Sequence, residues 1–276
     1  MKDRKNVKKV FINLIFIIGF LICLYPLVSS IISGYYQKSA IATYNNSIKN
    51  TEVSALNEDI IKAEEYNSTL YNYNKISSNR TNLDILREYE NILNVGDGIM
   101  GSIDIPKIDV NLPIYHTTSE EVLSKGVGHI EGSSIPVGGV NTRSLLSAHR
   151  GLPNSKLFTR LDELVVDDLF FIRIQDKTLA YKVRDIKTID PEDLESVEVE
   201  DGNDLVSLIT CTPYGLNTHR LVVTGERIEF KEQDYSNIEK KAVSYREMAF
   251  TILPFVFLGV VVILKIKDKR SNVNKD

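Results

Sequence analysis

The chain has 276 residues, 43% of them hydrophobic, and a formal net charge of −4, a length that fits one large domain or two small ones. That charge, with no basic stripe through the middle of the chain, argues against nucleic-acid binding. Its two cysteines, Cys23 in an apolar span and Cys211 far beyond it, exclude an intradomain disulfide framework.

Val10 to Ile32 is uncharged for 23 residues, enough for a bilayer, and follows Lys2, Arg4, Lys5, Lys8 and Lys9. The run is long and contains Pro26, so it reads as an uncleaved anchor rather than a signal peptide. The reading gives a cytoplasmic basic tail (1–9), a transmembrane helix (10–33) and an extracytoplasmic helical stalk (34–95). Within the stalk, "SALNEDIIKAEEYNSTL" sets Leu56, Ile60, Ile61 and Ala63 at helical spacing, with Ser54 as a cap. "NLDILREYENIL" repeats the pattern through Leu83, Leu86, Tyr89 and Leu93, and the polar "YNYNKISSNRT" between them reads as a loop.

From Gly96 the texture changes to short β-branched runs punctuated by glycine and proline. "GDGIMGSIDIPKIDVNLPIYH", "TRSLLSAH", "DLFFIRI", "LAYKVRDIKTI", "LVSLITC" and "RLVVTGERIEF" predict a closed all-β barrel over 96–231. "GLPNSKLFTRLDEL" supplies a short helix or turn, "VGHIEGSSIPVGG" a turn-rich loop, and the acidic "DPEDLESVEVEDGND" a solvated loop. A connector (232–247) leads to a second apolar segment (248–266) and a basic tail (267–276) with Lys267, Lys269 and Arg270. Basic flanks mark the cytoplasmic side, so the expected topology is two-pass, with the barrel outside the cell membrane.

Cys211 closes one apolar run and Arg220 opens the next, with the loop "TPYGLNTH" between them. If the runs pair as an antiparallel hairpin, thiol and guanidinium face each other. A thiolate is the nucleophile, nearby positive charge favours it, and a guanidinium can also hydrogen-bond an oxyanion. The plainer reading of Cys211 is a small buried hydrophobe. Acyl transfer from sulfur also needs an acid for the departing amine, a task that suits histidine. His116, His129, His149 and His219 compete for it. His116 and His129 fall in loops, His219 faces away from Arg220 by strand alternation, and His149 at a strand-to-loop edge is favoured. No HExxH, paired CxxC or calcium-loop spacing occurs, so neither metal nor cofactor is expected.

The motifs "LITCTPYGLNTHRL", "GDGIMGSIDIPKIDVNLPIYH", "GVGHIEGSSIPVGG" and "LLSAHRGLPNSKLFTRLDEL" resemble the class C sortases, the pilin-polymerising transpeptidases of Gram-positive bacteria. The resemblance spans Gly96 to Phe230. It implies an eight-stranded sortase β-barrel with His149, Cys211 and Arg220 as catalytic residues. It also implies LPXTG-like sorting signals on pilin or surface-protein substrates. The acceptor is then a pilin lysine or, alternatively, a cell-wall precursor; a non-catalytic membrane-anchored binding module is the reading from another class. Many pilin sortases carry a lid with an Asp-Pro-aromatic triplet before the barrel. The stretch Tyr66 to Glu90 has no proline and no such triplet, so a less occluded cleft is expected, or one filled by another residue such as Tyr71 or Tyr73.

Overall fold

The computed structural model describes residues 2–75, 87–95, 98–193, 195–240 and 244–273. The chain divides into two compact units, Met1–Ile32 with Ala242–Asp276, and Ser33–Lys241. Helix α1 (Lys2–Asn50) opens the first and runs on into the second, with no break where the anchor was expected to give way to a stalk. Its apolar positions Phe11, Ile15, Leu21 and Ile22 are exposed. Among the described residues one helical stretch, Val10–Asn50, is long and apolar enough to cross a membrane, with a mean hydropathy of 2.6 over an 18-residue window.

Helix α2 (Val53–Lys75) starts one residue before Ser54, which therefore lies inside the first turn rather than capping it. Ile60, Ala63, Tyr66 and Leu70 recur at helical spacing and are buried in the main core, whereas Ile61, expected on that face, is 62% exposed. Asn67 fastens the helix: its Nδ2 donates to the Ile135 carbonyl (2.9 Å) and its Oδ1 accepts from the Ile135 amide (2.7 Å). The expected stalk is thus a helix packed on the barrel. Residues 71–75, predicted as loop, continue α2. The rest of that loop and the first part of the second predicted helix, including Leu83 and Leu86, lie outside the described residues. The chain is described again at Arg87 and buries Tyr89, Ile92 and Leu93 around a single 3-10 turn (Tyr89–Asn91).

Eight strands follow: β1 (Ile99–Ile105), β2 (Val110–His116), β3 (Val127–His129), β4 (Thr142–Ser147), β5 (Leu169–Ile174), β6 (Lys177–Ile189), β7 (Asp204–Thr212) and β8 (His219–Ile228). They close a barrel in the order β1-β2-β3-β4-β7-β8-β6-β5. Two junctions, β2–β3 and β4–β7, are parallel; the others are antiparallel. Alternation sorts the side chains: Leu146, Val206, Leu208, Leu221 and Val223 join the main core with Ile103, Phe170 and Tyr181. Burial of each large apolar side chain contributes about 2–3 kcal/mol. Phe170 stacks on Tyr181 at 5.5 Å, and Gly225 makes room for it, since a Cβ there would lie 2.4 Å from the Phe170 ring.

Connections complete the core. The segment after β4 sends Leu157, Phe158, Leu161 and Leu164 into it through a 3-10 turn (Leu161–Glu163), in line with the predicted short helix or turn. Short helix α3 (Glu120–Lys125) joins β2 to β3 and is capped by Ser119, whose Oγ accepts from the Val122 amide (3.4 Å). His116 and His129, predicted in loops, end β2 and β3 instead. Helix α4 (Glu232–Ser236) lays Tyr235 on the outside of β1 and β5, where its hydroxyl donates to Asp104 (2.9 Å) and its ring meets Phe171 at 5.1 Å. In the first unit, helix α5 (Tyr245–Val273) contains Pro254, exposes Leu253, Phe255 and Ile263, and brings Phe257 to 5.9 Å from Phe16.

Candidate active site

Register decides which side chains meet. Along the β7–β8 ladder, Ser207 lies opposite Thr224, Ile209 opposite Val222 and Cys211 opposite Arg220. The predicted hairpin is therefore in register, with thiol-bearing and guanidinium-bearing residues as direct cross-strand neighbours. On the other side of β7, parallel β4 aligns Leu145 with Ser207 and Ser147 with Ile209. The alignment continues beyond β4: the Ala148 amide donates to the Ile209 carbonyl (3.2 Å), and Thr210 Oγ1 donates to the Ala148 carbonyl (2.8 Å). His149 is the next residue, just past the end of β4 on the strand beside β7. Arg220 and Cys211 thus begin a row at the rim as a cross-strand pair, and His149 follows the end of the adjoining strand.

Period-two alternation puts Cys211 on the same outer face of β7 as Ile209 and Ser207, because Val206 and Leu208 point into the core. Next to the row, Leu145, Ile209, Val222 and Val197 form a separate apolar cluster, with Ile130 and Ile189 packed against it. Beyond this shelf Arg143 is buried and fully engaged. Its Nε donates to Ser207 (3.0 Å), Nη1 to the Glu198 carbonyl (2.8 Å) and Nη2 to Thr224 (3.1 Å). Arg143 therefore ties the β6–β7 connection to the sheet. That acidic connection was predicted as a solvated loop, yet it buries Val197 in a 3-10 turn (Glu195–Val197) and its last residue, Asp204, begins β7.

At the rim, Arg220 Nη1 donates to the carbonyls of His219 (3.1 Å) and Asn217 (3.3 Å), so it also braces the turn beyond Cys211. His149 Nε2 lies 3.3 Å from Glu120 Oε1 on α3; the imidazole is 25% exposed and the carboxylate 84%. Arg150, the next residue, is buried: Nη2 pairs with Asp162 (2.5 Å) and Nη1 donates to Thr212 Oγ1 (3.2 Å). Its guanidinium also sits over the Tyr214 ring. Gly151, at φ +80°, lies under that ring, where a Cβ would approach to 2.9 Å. The turn after His149 and the loop after Cys211 are locked together by these contacts.

The other histidines have structural partners. His116 Nε2 and Nδ1 lie 2.8 and 3.2 Å from the carbonyls of Ile92 and Gly98. His129 is wholly buried, and burial pushes it down to about 4. Its Nε2 donates to the Ser134 carbonyl (2.9 Å), leaving Nδ1 to accept from the Tyr89 hydroxyl (2.7 Å). His219, on β8 beside Arg220, lies 3.5 Å from Asp190. Among the described residues no group of three or more His, Cys, Asp or Glu side chains is disposed to hold a metal ion. Tyr71, one alternative occupant of the cleft, donates to Asp201 (2.8 Å). Of the stretch Tyr66 to Glu90, residues 66–75 continue α2 and residues 76–86 lie outside the described residues.

Sequence reading missed Glu120, Arg143 and Arg150. Arg150 directly follows the favoured histidine, and Arg143 interrupts a strand of small and apolar residues; both positions hint at burial. Glu120 carries no such signal, because only the fold brings α3 to His149.

A family model described as a sortase domain matches residues 103–228. Sortase C1 of Streptococcus agalactiae is 41% identical to this chain, with a TM-score of 0.64 over 70% of this chain and 100% of that one. Clostridium perfringens sortase C, solved with the C-terminal cell wall sorting motif, is 42% identical, with a TM-score of 0.61 over 70% of this chain and 99% of that one. Streptococcus pneumoniae sortase C, whose structure bears on catalysis and pilin substrate specificity, is 38% identical, with a TM-score of 0.62 over 70% of this chain and 97% of that one.

Proposed function

Because the chain belongs to the sortase family of transpeptidases, in its class C branch, we propose that it cleaves an LPXTG-like sorting signal and joins pilin subunits through isopeptide bonds. The observation that supports this reading is the cross-strand pairing of Cys211 with Arg220, beside the end of β4 that His149 follows. Cys211 attacks the carbonyl carbon of the signal's threonine. His149 protonates the glycine amine as it leaves, and Arg220 donates to the substrate or the developing oxyanion. The partly exposed Ile130 and Ile189, packed on the buried cluster of Leu145, Ile209, Val222 and Val197, suit the signal's leucine and proline. A lysine amine of the next pilin then takes the acyl group from sulfur.

The membrane arrangement belongs to the same proposal. The N-terminal apolar helix anchors the chain, α5 crosses back, and the basic ends remain in the cytoplasm. The barrel then works outside the cell, where sorting signals emerge.

Incubating the full chain with an LPXTG-type peptide should give a covalent adduct on Cys211 by intact mass, and Cys211→Ala should give none. Unchanged pilin polymer with Cys211→Ala would overturn the catalytic reading. A muropeptide-linked product instead of a lysine isopeptide would move the assignment to cell-wall attachment.

A further inference from the structure

The catalytic row is electrically lopsided. Arg220 flanks Cys211 on β8, while beyond His149, on the other flank, stands the carboxylate of Glu120, 3.3 Å from Nε2. Glu121, its neighbour in the same turn of α3, is paired with Lys125 at 3.1 Å. Glu120 has the imidazole as its partner and remains 84% exposed, open to an incoming cation. A sorting signal contributes a carbonyl that becomes negative in the transition state, which suits the arginine flank. A lysine acceptor arrives as an ammonium and must become an amine before it attacks.

We infer that Glu120 receives the ammonium of the acceptor lysine and holds it against His149 for deprotonation. The inference rests on the reading of this site as an aminolysing thioester enzyme. Starting from the Cys211 thioester with neutral His149, the ammonium gives one proton to the imidazole. The amine nitrogen attacks the thioester carbonyl carbon; the C–N bond forms and the C–S bond breaks, with the electron pair returning to sulfur. The nitrogen loses a second proton to water past the exposed Glu120. The products are an amide, with one nitrogen proton, and a Cys211–His149 pair that together hold one proton, ready for the next signal peptide.

The test reads how the acyl-enzyme partitions, not how fast it forms. Full-length protein in detergent micelles is acylated with an LPXTG-type peptide near neutral pH. The thioester is offered Nα-acetyl-lysine amide, a cation, in competition with hydroxylamine, a neutral amine that needs no prior deprotonation. Glu120→Gln should lower the lysine-to-hydroxylamine product ratio about fivefold, the scale of one exposed ion pair, and Glu120→Lys should lower it further. An unchanged ratio in both variants overturns the proposal. If adduct formation slows while the ratio stays constant, Glu120 acts only on His149, and the proposal is likewise overturned. No adduct on the unaltered chain removes the sortase reading itself, and this assignment with it.

Discussion

The three adjoining strands β4, β7 and β8 carry two charged constellations on one face, separated by an apolar shelf. Below the shelf, Arg143 is buried, donates to Ser207, Thr224 and the Glu198 carbonyl, and pairs with Glu200 at 3.5 Å. Above it, Arg220 sits in register with Cys211 at the open rim, and His149 keeps only an exposed carboxylate as its side-chain ion partner. Residue types are similar at the two places; saturation differs. A guanidinium whose donors are spent on fixed groups holds architecture, whereas one at a rim can exchange its partners for a substrate.

Arg220→Lys should break the upper half of this comparison. It keeps the charge but loses the planar donor fork, and turnover of an LPXTG-type peptide should fall roughly a hundredfold, measured as kcat/KM. Near-normal turnover would remove the hydrogen-bonding role. The lower half should fail by stability instead. Arg143→Ala strands buried acceptors, and chemical denaturation should register a loss of about 3 kcal/mol.

His129 sharpens the contrast between spent and open groups. Its folded-state value near 4 lies below the ordinary 6.5, because burial penalises the cation. The unfolded chain therefore binds the extra proton between those limits, so this stabilisation is complete above about pH 6.5 and is lost as pH falls toward 4. At about 1.4 kcal/mol per pH unit the loss amounts to about 3 kcal/mol, and His129→Gln should flatten that limb of the stability curve. The smallest effect is expected from excising residues 76–86. With no Asp-Pro-aromatic triplet there, alkylation of Cys211 should stay within about twofold of the intact chain, on the scale of a minor shift in thiol access.

Local patterns made much of this legible. β-Branched runs between turns marked most strands, and the spacing of Cys211 and Arg220 implied their antiparallel register. What stayed hidden is non-local. The parallel β4–β7 junction, which brings His149 to the row, joins residues about sixty positions apart and leaves no trace in either segment. Strand β3 has three residues, one of them glycine, too short to alternate, so His129 looked like a loop residue. The α2 region read as a free stalk because its buried tyrosine and alanine are weak apolar signals beside many polar neighbours. Ile61 shows the reverse error, a hydrophobe turned to solvent.

The parallel β4–β7 junction also has a timing consequence. One of its strands enters the chain long before Cys211 and the other carries it, and Arg220 arrives last, on the final strand of the barrel. Contacts this distant in sequence form late, after slow loop closure. A newly made chain thus keeps Cys211 apart from Arg220 until the barrel shuts, and brings the two together in the same event that completes its fold.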